Sequence, residues 1–280
     1  MSKQPFKPHH INADSHDLKG NGKIGRYILL PGSDGRAKAI AGHFDNLVIK
    51  PHPRGHHLYI GTIANGKTVI DVAVISTGMG CPSMEIILHE LYHLGGKRFL
   101  RVGTAGSLQP GIVKIGGIVN AQASVRDEKT TTDYEPISIP AISSFEFTLA
   151  IMEAAKKLGI IHQIHTGMVH CKSSLYAREF GAGPEGAINK SYIDLLTHCG
   201  VLATEMETAA LFVQSQIYNY QLLQRGKGPQ YRVLCGAILG IISMPPHDFA
   251  TPAQEAKIET AMIGLALESI KTLSASEIHA

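Results

Sequence analysis

Four short stretches place residues fit for anion and sugar chemistry where an apolar segment gives way to a glycine-rich turn or a helix start. In "RFLRVGTAG" (98–106), Arg101 sits inside an apolar run, Phe99, Leu100 and Val102, that ends at Gly103-Thr104-Ala105-Gly106. A guanidinium buried alone costs on the order of several kcal/mol, so an anion must meet it, either a carboxylate of the protein or a ligand. Arginine offers phosphate two parallel N–H groups, and the Thr104 hydroxyl adds a third donor. In "LLPGSDGR" (29–36), Gly32 allows close approach of the backbone and Arg36 lies in the turn that follows. The stretch is neither G-x-G-x-x-G nor a P-loop, so it suits a small oxyanion better than a dinucleotide. Arg36 has the alternative of pairing with Asp34 or a surface acid.

"STGMGCPS" (76–83) leads through Ser76, Thr77 and two glycines into a helix, whose first N–H groups favour an anion or polar ligand; a plain tight turn is the other reading. In "ATEMETAALF" (203–212), Glu205 and Glu207 flank Met206 at the expected start of a helix. Acids there also serve as partners of the helix dipole. Two residues apart on a helix they cannot share a face, so one is expected to point into a site and the other elsewhere. A carboxylate facing a sugar accepts from its hydroxyls and stabilises positive charge on the ring as a glycosidic bond breaks. No motif places the second acid of an ordinary glycosidase.

The elements needed to position these residues alternate in type. "YILL" (27–30), "HLYIGTI" (57–63), "TVIDVAVIS" (68–76), the run at 98–102, "GGIVNAQASV" (116–125), "QIHTGMVHC" (163–171) and "RVLCGAILGIIS" (232–243) read as strands. Asn65-Gly66 between two of them signals a hairpin. Met84, Ile87, Leu88, Leu91 and Leu94 recur at helical spacing from about Pro82 to Gly95-Gly96. Further helices are expected from Ser144 to Leu158, from near Thr204, and from Thr251, where Thr251, Pro252 and Gln254 form a capping box ahead of the stripe Ile258, Ala261, Met262, Leu265, Leu273. Residues 172–190 read as loop.

Alternating strands and helices predict an α/β chain with a mixed sheet covered on both faces, folded as one domain over 1–280 with an N-terminal arm at 1–20. In such sheets ligands bind at strand carboxyl ends. The 26 basic and 23 acidic residues give +3, too weak a bias for nucleic acid or a membrane surface as the main partner. No apolar run approaches the ~18 residues of a membrane span. The opening residues lack the apolar core of a secretory signal, so a cytoplasmic protein is expected. Cys81, Cys171, Cys199 and Cys235 form no C-x-x-C pair and are expected as reduced thiols. The fifteen histidines, among them His9, His10, His52, His56 and His57, show no H-E-x-x-H, and no metal is expected.

In this order, "PGSDGR", "STGMGCPS", "FLRVGTAGSLQP" and "EMETAALF" resemble the nucleoside phosphorylases of the hexameric, uridine phosphorylase type, over about residues 9–275. The resemblance implies a central mixed sheet curling into a distorted barrel flanked by helices. It also implies reversible phosphorolysis of a nucleoside to free base and (deoxy)ribose 1-phosphate, phosphate being a co-substrate and no cofactor being needed. Arg101, Glu207 and Arg36 would carry the chemistry. Gly32, Arg36, Arg101 and Thr104 would hold phosphate, with Arg54 of "HPRGHH" supplied from a neighbouring subunit. Met206, Glu207 and Glu205 would face the ribose, and His10 would cross a dimer to its 5′-hydroxyl. A dimer is then the least active unit and a hexamer the implied assembly.

The base is less well marked. The Gln-x-Arg that reads uracil in the family is absent from "SSLYAREFGAGP" (173–184), and the purine-protonating Asp is replaced near Ile242. Ala105, Gly106, Tyr176, Arg178 and Glu179 are the candidates for the base pocket, and His247 and Asp248 for a lid. A purine or broad-specificity phosphorylase, a nucleosidase and a non-catalytic nucleoside-binding protein are the competing readings.

Overall fold

The computed structural model describes residues 6–228, 231–244 and 248–278. Its strands are β1 (Tyr27–Pro31), β2 (Asp45–Lys50), β3 (Leu58–Asn65), β4 (Thr68–Ile75), β5 (Arg98–Ser107), β6 (Ile118–Asp127), β7 (Ala141–Ile142), β8 (Ile164–Lys172), β9 (Ala203–Glu205), β10 (Leu234–Met244) and β11 (Asp248–Phe249). The helices are α1 (Asp34–Ala41), α2 (Cys81–His93), α3 (Phe145–Lys157), α4 (Gly186–His198), α5 (Thr208–Gln224) and α6 (Pro252–Ile278).

All the strands join one mixed sheet, ordered β11-β10-β6-β8-β9-β5-β1-β4-β3-β2 with β7 beside β6. β10 pairs with β5 as well as β6, so β10, β6, β8, β9 and β5 close into a five-stranded barrel. β1 and β4 extend it in parallel from β5, and the antiparallel strands β3 and β2 continue the wing. The hairpin signal is realised: Asn65 pairs with Thr68 around Gly66, whose φ of 60° suits the turn. The central strands β1 and β5 read as nearly continuous apolar runs because both faces are covered. One core lies under α2 and α5, the other under α1, α3 and α6.

The expected helices α2, α3 and α6 form. Met84, Ile87, Leu88 and Leu91 are buried on α2, and Ser144 is the N-cap of α3. At α6 the Thr251 N–H donates to Gln254 Oε1 (2.8 Å) and the Gln254 N–H to Thr251 Oγ1 (3.3 Å), a reciprocal capping box.

Three expectations are corrected. Residues 172–190 are not a plain loop: β8 runs to Lys172, a π-helical turn spans Leu175–Glu179, and α4 begins at Gly186. The helix expected near Thr204 begins at Thr208; Thr204 and Glu205 belong to β9, and Glu207 is the N-cap. Arg36 lies within a helix, α1, rather than a turn. In each case the segment is too short or too weakly patterned for its period to show.

Candidate active site

Seven strands of the sheet, or the turns that follow them, line one cleft of about 260 Å³, close to the ~300 Å³ at the small end of ligand pockets. β1 runs into Gly32 and, through the Ser33 cap of α1, into Arg36. β4 runs into the turn that holds Gly78 and Gly80 ahead of α2. β5 contributes Arg101, Thr104, Ala105 and Gly106, β8 contributes Lys172, and β9 contributes Thr204 and Glu205, followed by Met206 and Glu207. Ser243 of β10 and Phe249 of β11 close one side.

Arg101 answers the question its sequence position poses. Its residue exposure is 3%, and the protein supplies two carboxylates. Nε lies 3.3 Å from Glu205 Oε2, and a terminal N–H group donates to Glu207 Oε2. Both acids meet the same guanidinium, against the expectation that they point apart, because Glu205 ends a strand and Glu207 precedes the helix. The acceptors do not saturate the donor: the other terminal nitrogen, Nη1, meets no acceptor in the described structure, and Nε makes no well-directed hydrogen bond. A buried guanidinium with unspent N–H groups beside a cavity is suited to an anionic ligand.

The two acids differ in what holds them. Glu205 accepts from the Glu207 N–H (2.8 Å), the Thr208 N–H (3.0 Å) and the Thr208 hydroxyl (2.6 Å), so both its oxygens serve the start of α5. Burial acts to raise its pKa, but the Arg101 charge and these hydrogen bonds outweigh it, and Glu205 stays below the usual range. Glu207 accepts from the Gly80 N–H at 2.6 Å. Gly80 stands at φ 84°, a conformation glycine adopts freely, and this aims its N–H at the carboxylate. Burial, with the Glu205 charge adding to it, holds Glu207 above the usual carboxylate range despite Arg101. Arg36 donates to Glu259 Oε2 of α6 (3.2 Å) and to the Val102 carbonyl (3.4 Å), which fixes it over the exit of β5.

The structure thus brings Gly32, Arg36, Arg101, Thr104, Ala105, Gly106, Glu179, Glu205, Met206 and Glu207 to one cavity. Four of the phosphate, ribose and base candidates lie off its lining. Tyr176 is 72% exposed. Arg178 turns to Asp127 (2.7 Å) and Asn189 (2.7 Å) and stacks over Tyr192. Arg54 stands exposed in the segment between β2 and β3. His10 bonds Glu90 of α2, its Nδ1 2.8 Å from Oε1, within an N-terminal segment whose His9, His10 and Ile11 N–H groups all donate to that carboxylate. His247 falls outside the described residues, and Asp248 lies exposed in β11.

Sequence reasoning missed Lys172, Phe180, Ser243 and Phe249. The signal for Lys172 was available: it is a lysine closing an apolar strand, as Arg101 is an arginine inside one. Among the described residues no group of three or more His, Cys, Asp or Glu side chains is placed to hold a metal. No described helix is long and apolar enough to cross a membrane.

Comparison with known proteins places this geometry. Residues 26–224 match the family model of the phosphorylase superfamily. The chain belongs to that superfamily. The matched span holds every cavity residue named above except Ser243 and Phe249. The chain is 37% identical over 198 residues to the uridine phosphorylase of Treponema pallidum, covering 69% of this chain and 73% of that protein. It is 34% identical over 201 residues to the uridine phosphorylase of Thermococcus kodakarensis, covering 71% and 70%. A guanosine phosphorylase of Halorubrum lacusprofundi is 28% identical over 239 residues, covering 84% and 83%.

Proposed function

We propose that this phosphorylase-superfamily protein cleaves the glycosidic bond of a nucleoside, uridine-like in kind, with inorganic phosphate as the attacking co-substrate. The observation that carries this reading is the buried Arg101 guanidinium, which keeps an unpartnered N–H beside the cavity while Glu207 stands against it. Phosphate would sit at the exits of β1 and β5, on Gly32, Arg36, Arg101 and Thr104. Met206 and Glu207 would face the ribose, with Glu207 accepting from its hydroxyls. Glu205, with both oxygens engaged, serves to position Glu207 and Arg101.

The chemistry is positioning plus electrostatics. The C1′–N bond loosens first and the ring gains positive charge. Phosphate, held by the arginines beneath the ring, stabilises that charge and forms the C1′–O bond, while the bond's electron pair departs with the base. Loss of one such electrostatic contact costs about 3 kcal/mol, or roughly 10²-fold in rate. No covalent enzyme intermediate, metal or organic cofactor has a step to perform.

Arg54 and His10 stand apart from the cavity of their own chain, as residues lent to a second chain's site would. The reading therefore includes a dimer as the least active unit and a hexamer as the assembly, in the cytoplasm. The test is release of free base from uridine, thymidine, deoxyuridine, inosine and adenosine, with and without phosphate. Release that requires phosphate supports the reading. Equal release in water assigns a nucleosidase, and binding without turnover assigns a nucleoside-binding protein.

A further inference from the structure

Two charged side chains at the cavity serve neither the phosphate end nor the sugar end. Lys172 closes β8 with a side chain 1% exposed, and Glu179 ends the π-helical turn with a side chain 3% exposed. Lys172 Nζ lies 2.7 Å from Glu179 Oε2 and donates to Thr204 Oγ1 at 3.0 Å. A buried ion pair is a poor stabilising device, because apolar residues of the same volume do as well or better. This pair also has capacity to spare. Among the described residues no donor bonds Glu179 Oε1, and the ammonium uses one of its three N–H groups in the bond to Thr204. Both residues line the cavity, next to Phe180 and Phe249, whose rings stand 5.9 Å apart and form an apolar wall. A donor and an acceptor side by side, beside an apolar surface, are the elements of a reader for a flat heterocycle.

We propose that Lys172 and Glu179 read the base and select a keto base, one whose edge carries a ring N–H next to a carbonyl. The inference rests on the phosphorolysis reading above. Uracil, thymine, hypoxanthine and guanine all carry that edge. The ring N–H donates to Glu179 Oε1 and the carbonyl accepts from Lys172. Cytosine and adenine invert the pattern. They set a ring-nitrogen lone pair against Glu179 Oε1 and an amino group against the ammonium, leaving the spare acceptor of Glu179 and the spare N–H of Lys172 without a partner.

The pair also has a role in the reaction. The C1′–N bond breaks with its electrons moving onto the base, and a phosphate oxygen bonds C1′. Hydrogen phosphate gives up one proton in becoming the sugar phosphate dianion, and the base takes up one from solvent. In between, the negative charge spreads to the base carbonyl that Lys172 faces, so that contact strengthens in the transition state. Glu179 holds the ring N–H, which stays on the base throughout.

The test measures kcat and KM at saturating phosphate for uridine, 3-methyluridine, cytidine, inosine and adenosine, in the wild type and in Glu179→Gln and Lys172→Met. A site that hydrogen-bonds the keto edge should favour uridine over cytidine and 3-methyluridine, and inosine over adenosine, by about 10³-fold or more. Glutamine presents either a donor or an acceptor, so Glu179→Gln should lower the uridine-to-cytidine ratio at least about tenfold. That ratio is taken within one sample and does not depend on how much protein is folded. Lys172→Met should lower kcat by about tenfold or more, and a separate phosphate titration at saturating uridine should leave KM for phosphate unchanged. Cleavage of cytidine or 3-methyluridine as fast as uridine, or a ratio unmoved in Glu179→Gln, overturns the assignment and leaves phosphorolysis standing. No phosphate-dependent release from any nucleoside overturns both.

Discussion

Gly103→Ala perturbs the phosphate clamp without altering a charge. Gly103 follows Arg101 by two on β5, so the two residues project to the same face of the strand. A methyl group there would lie 2.8 Å from one terminal nitrogen of Arg101, 2.9 Å from Cζ and 3.0 Å from Nε. Comfortable contact needs about 3.5 Å, so the guanidinium must give way by roughly 0.5–1 Å. The group that moves is the far end of a long side chain, but it is buried and held by Glu205 and Glu207, so the stability cost falls within the ~1–3 kcal/mol of overpacked cores. The catalytic cost is larger, because Glu205, Glu207 and the bound phosphate all depend on where those nitrogens sit. A misplacement of about 1 Å costs up to roughly 10²-fold in rate, or about 2.7 kcal/mol. The assay is a phosphate saturation curve at fixed nucleoside, together with a thermal melt. Gly35→Ala, where a new methyl meets nothing within 4 Å, is the control. A folded Gly103→Ala enzyme whose kcat/KM for phosphate stays within about twofold of wild type would refute the role given to Arg101.

His170 is fully buried, with Nδ1 3.0 Å from Thr204 Oγ1 and Nε2 2.9 Å from Asp127. Burial holds its pKa below the usual 6.5 despite Asp127. The unfolded chain therefore binds more protons below pH 6.5, and stability should fall as pH drops through that window, by at most about 1.4 kcal/mol per pH unit. Denaturant unfolding from pH 7.5 to 5 should show such a slope, and His170→Gln should make it shallower, the rest coming from His56 and His89, which burial also holds below the usual value. Gly264 stands exposed in α6 with open space where a methyl would go, so Gly264→Ala should stabilise by about 0.5–1 kcal/mol in a denaturant melt and leave activity unchanged. Arg54→Ala and Arg101→Met chains should each be nearly inactive alone. Coexpressed, they should regain about a quarter of wild-type activity, because half the dimers are mixed and one of their two sites is whole. No recovery would mean that Arg54 acts within its own chain or not at all.

The elements that sequence reveals best are those that bury a regular face. β1 is apolar throughout and β4 and β5 are mostly so, because both sheet faces are covered there, and α6 announces itself by its capping box. β2 carries no such signal, since as the outermost strand of the wing it is almost wholly exposed. α1 buries only Ala37, Ile40 and Ala41, too little to mark a period. The same limit shaped the site. Arg101, Glu205 and Glu207 stand out by type, but that both acids meet one guanidinium depends on β9, whose three residues show no period. Lys172 gains its meaning from Glu179 seven residues on, and only the π-helical turn between them brings the two charges together. Arg178, one position earlier, turns the opposite way, to Asp127. Residue type alone does not separate those two neighbours.

The central claim is that phosphate itself attacks the sugar at the arginine clamp. Phosphorus NMR of the enzyme with uridine and phosphate tests it most directly. The account predicts a sugar 1-phosphate signal growing in step with free uracil, one for one, and no uracil when phosphate is left out. Uracil released with the phosphate signal unchanged would contradict it and make water the nucleophile.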